Sequence, residues 1–272
     1  GESVYDRSGM SVAMSSDGAR IAIGATWADP DGQYNKRYGH VRVYDRDTNE
    51  AIGWKQVGSD IDGEAANDYS GWSVAMNGDG TRIAIGVPDN GEIYTANYNK
   101  GHVRVYDYRE YTQSDSDNQT YHYTHQVYGQ YSNTTNNKPL IITANTSTAP
   151  VVGNSYWTQV GGDIDGEAAY DQSGYSVAMN SSGTRIAIGA QYGNGGYYYE
   201  QNARGQVRVY EYDATKTTAV TDQNSSTFGP IGWNRVFVDI DGEDRADYSG
   251  YSVAMNSSCL LYTSDAADDV IS

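Results

Sequence analysis

The sequence predicts an all-β protein built of repeated four-stranded antiparallel sheets. The first observation is internal repetition, because one block recurs along the 272 residues, with a shortest spacing of 62 residues between Ser8 and Ser70. The second is the alternation of apolar and other side chains in four short runs of each repeat, which is typical of strands. The third is that no stretch of about ten residues in the repeat has a helical period.

Four sequence markers occur in the same order in each repeat. The first is a tryptophan followed by an acidic Asp-Ile-Asp-Gly-Glu segment, in copies that begin at Trp54, Trp157 and Trp233. Ser-Gly-x-Ser-Val-Ala-Met, Arg-Ile-Ala-Ile-Gly and Gly-His/Gln-Val-Arg-Val-Tyr follow. The extra length lies between the last marker and the next tryptophan, at residues 107–156 and 211–232. Insertions are therefore confined to one loop of a fixed scaffold.

The four runs predict four strands, which we name a, b, c and d. In one repeat strand d covers residues 54–57, a covers 72–76, b covers 82–86 and c covers 102–106. Small residues opposite the bulky ones on strands a and b predict sheets that neighbours cover on both faces, as in the blades of a β-propeller. The chain holds about three and a half such blades, and four to eight are usual, so we expect a fragment of a larger ring.

The domain prediction follows the repeats over residues 1–258. It has a partial blade at 1–53, a blade at 54–156 with the insertion 107–156, a blade at 157–232 with the insertion 211–232, and a truncated blade at 233–258. Residues 259–272 leave the repeat at Cys259 and read as translated sequencing-adapter sequence, so they are set aside as an artefact. A genuine, divergent C-terminus is the alternative.

The markers resemble the FG-GAP repeat of β-propellers, which occurs in integrin-α-like and bacterial surface proteins. Residues 171–179, 186–190 and 205–210 carry the resemblance, which covers nearly all of residues 1–258 outside the insertions. Two departures are that serine replaces the aromatic of the Phe-Gly pair, and that the family's Asp-rich calcium loop between strands a and b is reduced to a short turn. The resemblance implies adhesion or ligand binding outside the cell more often than catalysis.

Composition excludes several classes of function. The net charge of −17 argues against nucleic acid and against an anionic membrane surface as partner. The longest apolar run is far too short to cross a membrane, and the single cysteine excludes an internal disulfide framework. His40 and His102 share a repeat position that Gln206 fills elsewhere, and His122 and His125 are too loosely spaced to indicate a metal pair. With no catalytic motif present, we predict that the chain is not an enzyme.

One end of the sheets is predicted to be the contact face. In an up-and-down sheet, the b–c and d–a connections share one end, and the insertions in the c–d connections lie at the other. The d–a connections are acidic and the b–c connections are rich in tyrosine, a side chain with a flat apolar ring and a polar tip. The predicted ligand-face residues are Tyr34, Tyr38, Tyr94, Tyr98, Tyr192, Tyr197, Tyr198 and Tyr199. The alternative is that these tyrosines only pack loop on loop.

The acidic d–a segments also suggest calcium. Their carboxylates stand at positions one, three, five and nine, the side-chain spacing of an EF-type loop, although the glycine is misplaced and no glutamate stands at position twelve. The alternative is that Asp-Gly is turn chemistry and that Asp68 ties down the turn before the Ser-Gly pair. In that alternative Asp68, Asp171 and Asp247 can also pair with repeated arginines such as Arg82 or Arg104, and Arg42, Arg104 and Arg208 are most simply sheet-face residues. The candidate ligands are Asp60, Asp62, Glu64, Asp68, Asp163, Asp165, Glu167, Asp171, Asp239, Asp241, Glu243 and Asp247.

The sequence thus predicts a non-catalytic binding or adhesion module of a secreted or cell-surface protein. Its expected partners are a protein or glycan and the remaining blades of the same chain. No signal peptide is visible, since the N-terminus reads as truncated within a repeat. A calcium-stabilised structural scaffold without its own ligand is the first alternative. Part of an enzyme whose active site lies outside this segment is the second.

Overall fold

The computed structural model describes residues 1, 3–29, 36–89, 98–117, 122–123, 141–142, 150–193, 203–236, 238–257 and 261–264. Within them the chain forms three four-stranded antiparallel sheets, each extended by short strands, and a two-stranded hairpin. The helix of this part of the chain, α1 (Gln113–Asp117), has five residues. The all-β prediction is therefore confirmed. No helix among these residues is long and apolar enough to span a lipid bilayer.

The first sheet has its strands side by side in the order of the sequence. They are β1 (Ser8–Met14), β2 (Arg20–Ala25), β3 (His40–Arg46) and β4 (Trp54–Gln56), and a short β5 (Ile61–Asp62) pairs with β3. These four strands correspond to the predicted strands a to d. Strand d pairs with the strand c that precedes it, so the sheet continues past the boundary that the sequence repeat places at its tryptophan.

The second sheet repeats this arrangement and extends it. Its main strands are β6 (Ser73–Met76), β7 (Arg82–Val87), β8 (His102–Glu110) and β11 (Ser155–Gln159). Two short strands from the long insertion, β9 (His122–Tyr123) and β10 (Ile141–Ile142), continue the sheet beyond β11, while β12 (Ile164–Asp165) pairs with β8. The insertion therefore adds to the outer edge of an otherwise regular sheet.

The third sheet contains β13 (Ser173–Met179), β14 (Arg185–Ala190), β15 (Gln206–Tyr212), β16 (Trp233–Arg235) and β17 (Ile240–Asp241), with β17 paired to β15. A final hairpin joins β18 (Ser252–Met255) to β19 (Leu261–Ser264). β19 belongs to the tail that leaves the repeat, and it pairs with β18 as strand b pairs with strand a in the three sheets.

Neighbouring sheets pack face to face, and their apolar side chains form the core between them. Val43 of the first sheet, Ile83 and Ile85 of the second and the ring of Trp157 belong to one buried cluster. Val105 of the second sheet belongs to the next cluster, together with residues of the third. Both faces of the middle sheet are therefore buried, which accounts for its lack of polar alternation.

The first strands of neighbouring sheets lie against each other and make the same hydrogen bond at every junction. A serine hydroxyl of one sheet donates to the glycine carbonyl of the next Ser-Gly pair, from Ser11 to Gly71 at 2.7 Å, from Ser73 to Gly174 at 2.8 Å and from Ser176 to Gly250 at 2.7 Å. A Cβ at Gly86 would collide with the Gly174 carbonyl, so the glycine that ends strand b allows this close approach.

Two longer side chains tie the sheets together further from the first strands. The guanidinium of Arg82 donates to the Gly183 carbonyl in the turn of the next sheet at 2.9 Å. The indole nitrogen of Trp157 donates to the Val57 carbonyl of the sheet before it, also at 2.9 Å. Arg20 and Trp233 make the equivalent bonds at their own junctions. The repeated residues of the sequence therefore make the same contacts at successive junctions.

Candidate functional site

The linkers between sheets carry the predicted acidic segments. In the first linker Asp62 pairs with His40 and Ile61 with Val41, at the start of strand c. The chain then enters the next sheet, where the Ser70 backbone N–H donates to the Tyr38 carbonyl at 2.9 Å. The acidic linkers and the b–c loops therefore meet at one end of the sheets, which we call the loop end.

The ninth position of each acidic segment closes a turn. The Asp68 carboxylate accepts hydrogen bonds from the backbone N–H groups of Glu64 at 3.1 Å and Ala65 at 2.8 Å. Asp171 accepts the two equivalent bonds at the same distances, and Asp247 accepts one of them. These carboxylates satisfy local backbone donors, as the turn alternative predicts.

A buried arginine on strand c faces the acidic linkers. Arg104 is 2% exposed, and its Nη1 lies 3.2 Å from the Glu64 carboxylate of the linker before its sheet. Its Nε donates to His102 Nε2 at 3.1 Å. Burial acts to lower the pKa of Arg104, but the negative charges around it, among them Glu64 and Asp163 of the following linker, raise that pKa overall. The guanidinium is thus the cation on which two linkers converge.

The other two arginines at this position also meet acidic residues, in different ways. Arg208 lies 3.8 Å from Glu167 and donates to the Asp165 carbonyl at 3.1 Å. Arg42 binds both carboxylate oxygens of Asp60, at 2.9 and 2.7 Å. All three arginines are buried on a sheet face, beneath the linkers. Repeated arginines therefore do pair with the acidic segments, but through the first and fifth positions, whereas the alternative expected the ninth-position residues Asp68, Asp171 and Asp247.

The carboxyl groups near Arg104 are held in their protonated form to unusually high pH. Burial is the main cause, and it raises the pKa of Glu64 to about 8 despite the opposing charge of Arg104. Burial likewise raises the pKa of Asp68 to about 6, and burial together with the Asp163 charge raises that of Asp165 to about 6. One guanidinium does not neutralise the whole group once it is withdrawn from water.

These pKa values predict that the protein loses stability as pH rises through neutrality. The folded chain binds protons on these carboxyls more tightly than the unfolded chain, so the stability they give is complete below about pH 4 and lost between about pH 4 and about pH 8. We expect the free energy of unfolding, measured in urea, to fall by about 1–3 kcal/mol from about pH 5 to about pH 8.5. Glu64→Gln should remove much of this fall and Glu50→Gln, at an exposed position, should not. Stability that is constant or rises over that interval would contradict the prediction.

The twelve predicted calcium ligands do not converge as a set. Among the described residues, one group of three His, Cys, Asp or Glu side chains has ligand atoms within 4.8 Å of one another, and it consists of His40, Asp60 and Asp62. It contains positions one and three of the first segment only. Calcium binding therefore stays a prediction for these segments. Burial lowers the pKa of His40, so its imidazole is neutral at pH 7.

Three of the eight predicted tyrosines lie within the described residues, and all three are half-buried at the loop end. Tyr98 packs edge-on against Tyr170, with ring centroids 5.4 Å apart, and Tyr192 packs in the same way against Tyr248 at 5.6 Å. Tyr38 accepts the linker hydrogen bond through its carbonyl. Tyr34, Tyr94, Tyr197, Tyr198 and Tyr199 lie outside the described residues. The three described tyrosines therefore contact the acidic linkers from the b–c loops.

One backbone position at the loop end is left-handed in every repeat without being glycine. The residue before each Ser-Gly pair has φ of 54° at Arg7, 53° at Tyr69, 54° at Gln172 and 53° at Tyr248. Such a conformation costs of order 1 kcal/mol for a residue with a Cβ. A second position, three residues before each serine of these pairs, is left-handed as well, and alanine stands there in one repeat, with φ of 64° at Ala246.

The first of these positions is surrounded by aromatic and cationic groups. The Arg7 guanidinium lies 3.5 Å from the centre of the Trp27 ring, and the Arg37 guanidinium lies 4.5 Å from it. Arg37 also donates to the Tyr69 hydroxyl at 2.8 Å. Two guanidinium groups stacked on one indole form a local cationic and aromatic patch on a strongly acidic protein.

The later positions have different chemistry on the same backbone. Gln172 donates to Asp89 at 2.6 Å and accepts from Gln191 at 2.7 Å. Tyr248 packs on Tyr192. We call this set the loop-end row; its members are Arg7, Trp27, Arg37, Tyr69, Asp89, Gln172, Gln191, Tyr192 and Tyr248.

A second row of aromatic side chains crosses the first strands next to the loop end. Trp72 packs on Tyr175 with ring centroids 5.4 Å apart, and Tyr175 packs on Tyr251 at 5.1 Å. Each follows the Ser-Gly pair of its own sheet. The row therefore runs from sheet to sheet across three successive first strands.

Sequence reasoning named Tyr192 but missed the rest of the loop-end row, and it missed the burial of the arginines. The available signal for the row was that the residue before Ser-Gly varies among Arg, Tyr and Gln while its neighbours repeat. The signal for Arg104 was an arginine flanked by two valines in strand c. The valines lie on one face of the strand, and the arginine lies on the other. The first signal is seen when the repeats are aligned and the positions that vary between them are noted.

Comparison with known proteins identifies no family for this chain. No protein-family model matches it, and no curated protein matches it. Among solved structures it is similar to the hydrazine synthase of Kuenenia stuttgartiensis, with 12% sequence identity and a TM-score of 0.31, over 95% of this chain and 71% of that one. A likeness at this level carries no argument about fold or function.

Proposed function

We propose that the three sheets and the hairpin are successive blades of a β-propeller of the FG-GAP type. The support is that the sheets follow one another in sequence, pack face to face and bring their first strands together, while strand d stands at the opposite edge. The same hydrogen bonds recur at each junction. In this proposal, the described sheets are part of a ring that further blades of the same chain complete.

We further propose that the chain is a non-catalytic binding or adhesion module of a secreted or cell-surface protein. The observation that carries this proposal is the loop-end row, in which one backbone position shows different side chains from repeat to repeat. Repeat scaffolds present a contact surface by varying the side chains at one end of a constant framework. Here the variable side chains are Arg, Tyr, Gln, Trp and Asp.

The composition of the row suggests an extracellular protein or glycan as the ligand. Aromatic rings offer flat apolar area to a sugar ring or to an apolar side chain, while the arginine and glutamine side chains donate hydrogen bonds. Arg7 and Arg37 beside Trp27 favour a ligand that bears carboxylate or sulfate groups, because they are cations on a chain of net charge −17.

The test is a binding assay on an array of acidic and neutral oligosaccharides together with immobilised extracellular-matrix proteins. We expect at least one immobilised ligand to bind, and we expect Trp27→Ala and Gln172→Ala each to weaken that binding by about tenfold or more. Ser16→Ala is the matched control, since Ser16 is exposed in the a–b turn at the opposite end of the first sheet.

Three results would contradict the proposal. They are no binding anywhere on the array, binding that survives both loop-end variants, and conversion of a bound saccharide into products. The calcium-stabilised scaffold stays a separate prediction. It requires a rise in the melting temperature with calcium that chelator reverses and that Asp60→Asn, Asp163→Asn and Asp239→Asn abolish.

A further inference from the structure

The group of His40, Asp60 and Asp62 owes its geometry to the sheet. His40 and Asp62 stand directly opposite each other in the antiparallel pair of β3 and β5. Side chains opposite each other in such a pair lie on the same face. Asp60 precedes Asp62 by two residues in an extended segment, so it lies on that face as well. Three side chains that bind metals are thereby placed together by backbone pairing.

The three side chains are close enough to share one cation. Their ligand atoms all lie within 4.8 Å of one another, and His40 Nδ1 is 3.9 Å from Asp62 Oδ1. Two ligands of a tetrahedral zinc ion are about 3.3 Å apart, because each bond is about 2.0 Å long. A small rotation of the side chains therefore brings the observed separation to bonding distance.

The His40 side chain is buried opposite a carboxylate to which it is not hydrogen-bonded. It is 5% exposed, and its Nδ1 lies 3.9 Å from Asp62 Oδ1, too far for a hydrogen bond. A buried imidazole that points at a carboxylate without bonding to it is an unexplained feature of this sheet. A metal ion between the two groups would explain it.

Asp60 is already held in the way that metal-binding carboxylates are held. Arg42 donates to both of its oxygens, at 2.9 and 2.7 Å, and Gln56 donates to Oδ1 at 2.7 Å. Partners of this kind orient ligating carboxylates in many metal sites, and Oδ2, which accepts only one of these bonds, keeps a lone pair for a metal ion. The positive charge of Arg42 also offsets one of the two negative charges of Asp60 and Asp62. The remaining negative charge favours binding of a divalent cation.

The other two sheets provide an internal comparison. In the second sheet His102, Asp163 and Asp165 occupy the same positions, but Arg104 donates to His102 Nε2 at 3.1 Å and occupies that lone pair. In the third sheet Gln206 replaces the histidine. The first sheet is therefore the one in which a histidine and both carboxylates come together within the described residues.

We propose that His40, Asp60 and Asp62 bind one divalent transition-metal cation, with zinc as the reference ion. One imidazole and two carboxylates form a mixed nitrogen and oxygen set, which suits zinc, manganese or ferrous iron better than calcium, which takes oxygen ligands alone. Three protein ligands leave a fourth position for water or for a ligand group. This site is independent of the loop-end row.

The test is calorimetric titration of Zn²⁺ into the full chain carrying Cys259→Ser, His122→Gln and His125→Gln. The chain has four histidines and one cysteine, so His40 and His102 are the remaining imidazoles in this background. We expect one Zn²⁺ per chain, and His40→Gln should weaken binding by at least about tenfold. Glutamine occupies the equivalent position at Gln206, so His40→Gln should fold, and circular dichroism checks this.

His102→Gln is the matched control, and it should leave Zn²⁺ binding unchanged. Asp62→Asn is the second variant, and it should weaken binding as His40→Gln does. The visible spectrum of bound Co²⁺ gives a readout that does not depend on heat, and it should disappear in both site variants. Binding that is unchanged in His40→Gln, equally weakened in His102→Gln, or equally strong for Ca²⁺ would overturn the proposal.

Discussion

Arg104→Met is expected to lower the free energy of unfolding by about 3–5 kcal/mol at about pH 8. The guanidinium is 2% exposed and lies 3.2 Å from Glu64, and the Asp163 charge also acts on it. Methionine replaces the volume but leaves buried carboxylates without their cation, which is the costly way to break a buried ion pair. Urea unfolding of both chains measures the difference.

The pH dependence of the Arg104→Met effect separates the loss of charge from the loss of packing. The neighbouring carboxyls have pKa values of about 6 to about 8, so they are protonated at about pH 5, and the cost of the substitution should shrink there to about half or less. Arg185→Met is the matched control, because that arginine pairs with Glu211 in a partly exposed setting and should cost about 1 kcal/mol at most. An equal loss in both variants, or a loss independent of pH, would show that the arginine acts through packing alone.

Trp157→Ala is expected to cost about 3–5 kcal/mol, the range for removal of a large aromatic side chain from a core. The ring is fully buried between the first and second sheets, packs on Tyr108 at 5.2 Å and bonds to the Val57 carbonyl. Its loss leaves a cavity at the junction and an unsatisfied carbonyl. Thermal and urea unfolding both report the change.

The repeat supplies the control for Trp157→Ala. Trp54 holds the same position in the first sheet but is half-buried, so Trp54→Ala should cost about 2 kcal/mol or less. Trp157→Phe keeps most of the ring and loses the indole donor, and it should cost about 1–2 kcal/mol. If Trp54→Ala and Trp157→Ala were equally costly, the indole would stabilise its own sheet and not the junction.

The strands were predictable from the sequence because they depend on local alternation and on the repeat. The predicted strand of residues 82–86 corresponds to β7 (Arg82–Val87), and the predicted 102–106 is the first part of β8 (His102–Glu110). Their pairing in sequence order follows from short connections between antiparallel strands. The extension of β8 reaches into the insertion, where the repeat gives no guidance.

The candidate sites were only partly predictable, because they depend on contacts between repeats. An arginine at alternate positions of a strand reads as exposed unless the partner that covers it is known, and Arg104 is covered by a linker from the preceding repeat. His40 belongs with Asp60 and Asp62 only once β5 has paired with β3. Spacing along one acidic segment therefore suggested a calcium loop, while the histidine came from another strand.

The identical hydrogen bonds at successive junctions have a consequence for how the gene can change length. The serine hydroxyl of one sheet finds the same acceptor in the next at three junctions, and the arginine and tryptophan bonds recur at the two junctions between the four-stranded sheets. Recombination that removes or adds one whole repeat therefore joins surfaces that already fit each other. The loop-end side chains would be reshuffled by the same event, so new contact surfaces can arise by duplication without any redesign of the core.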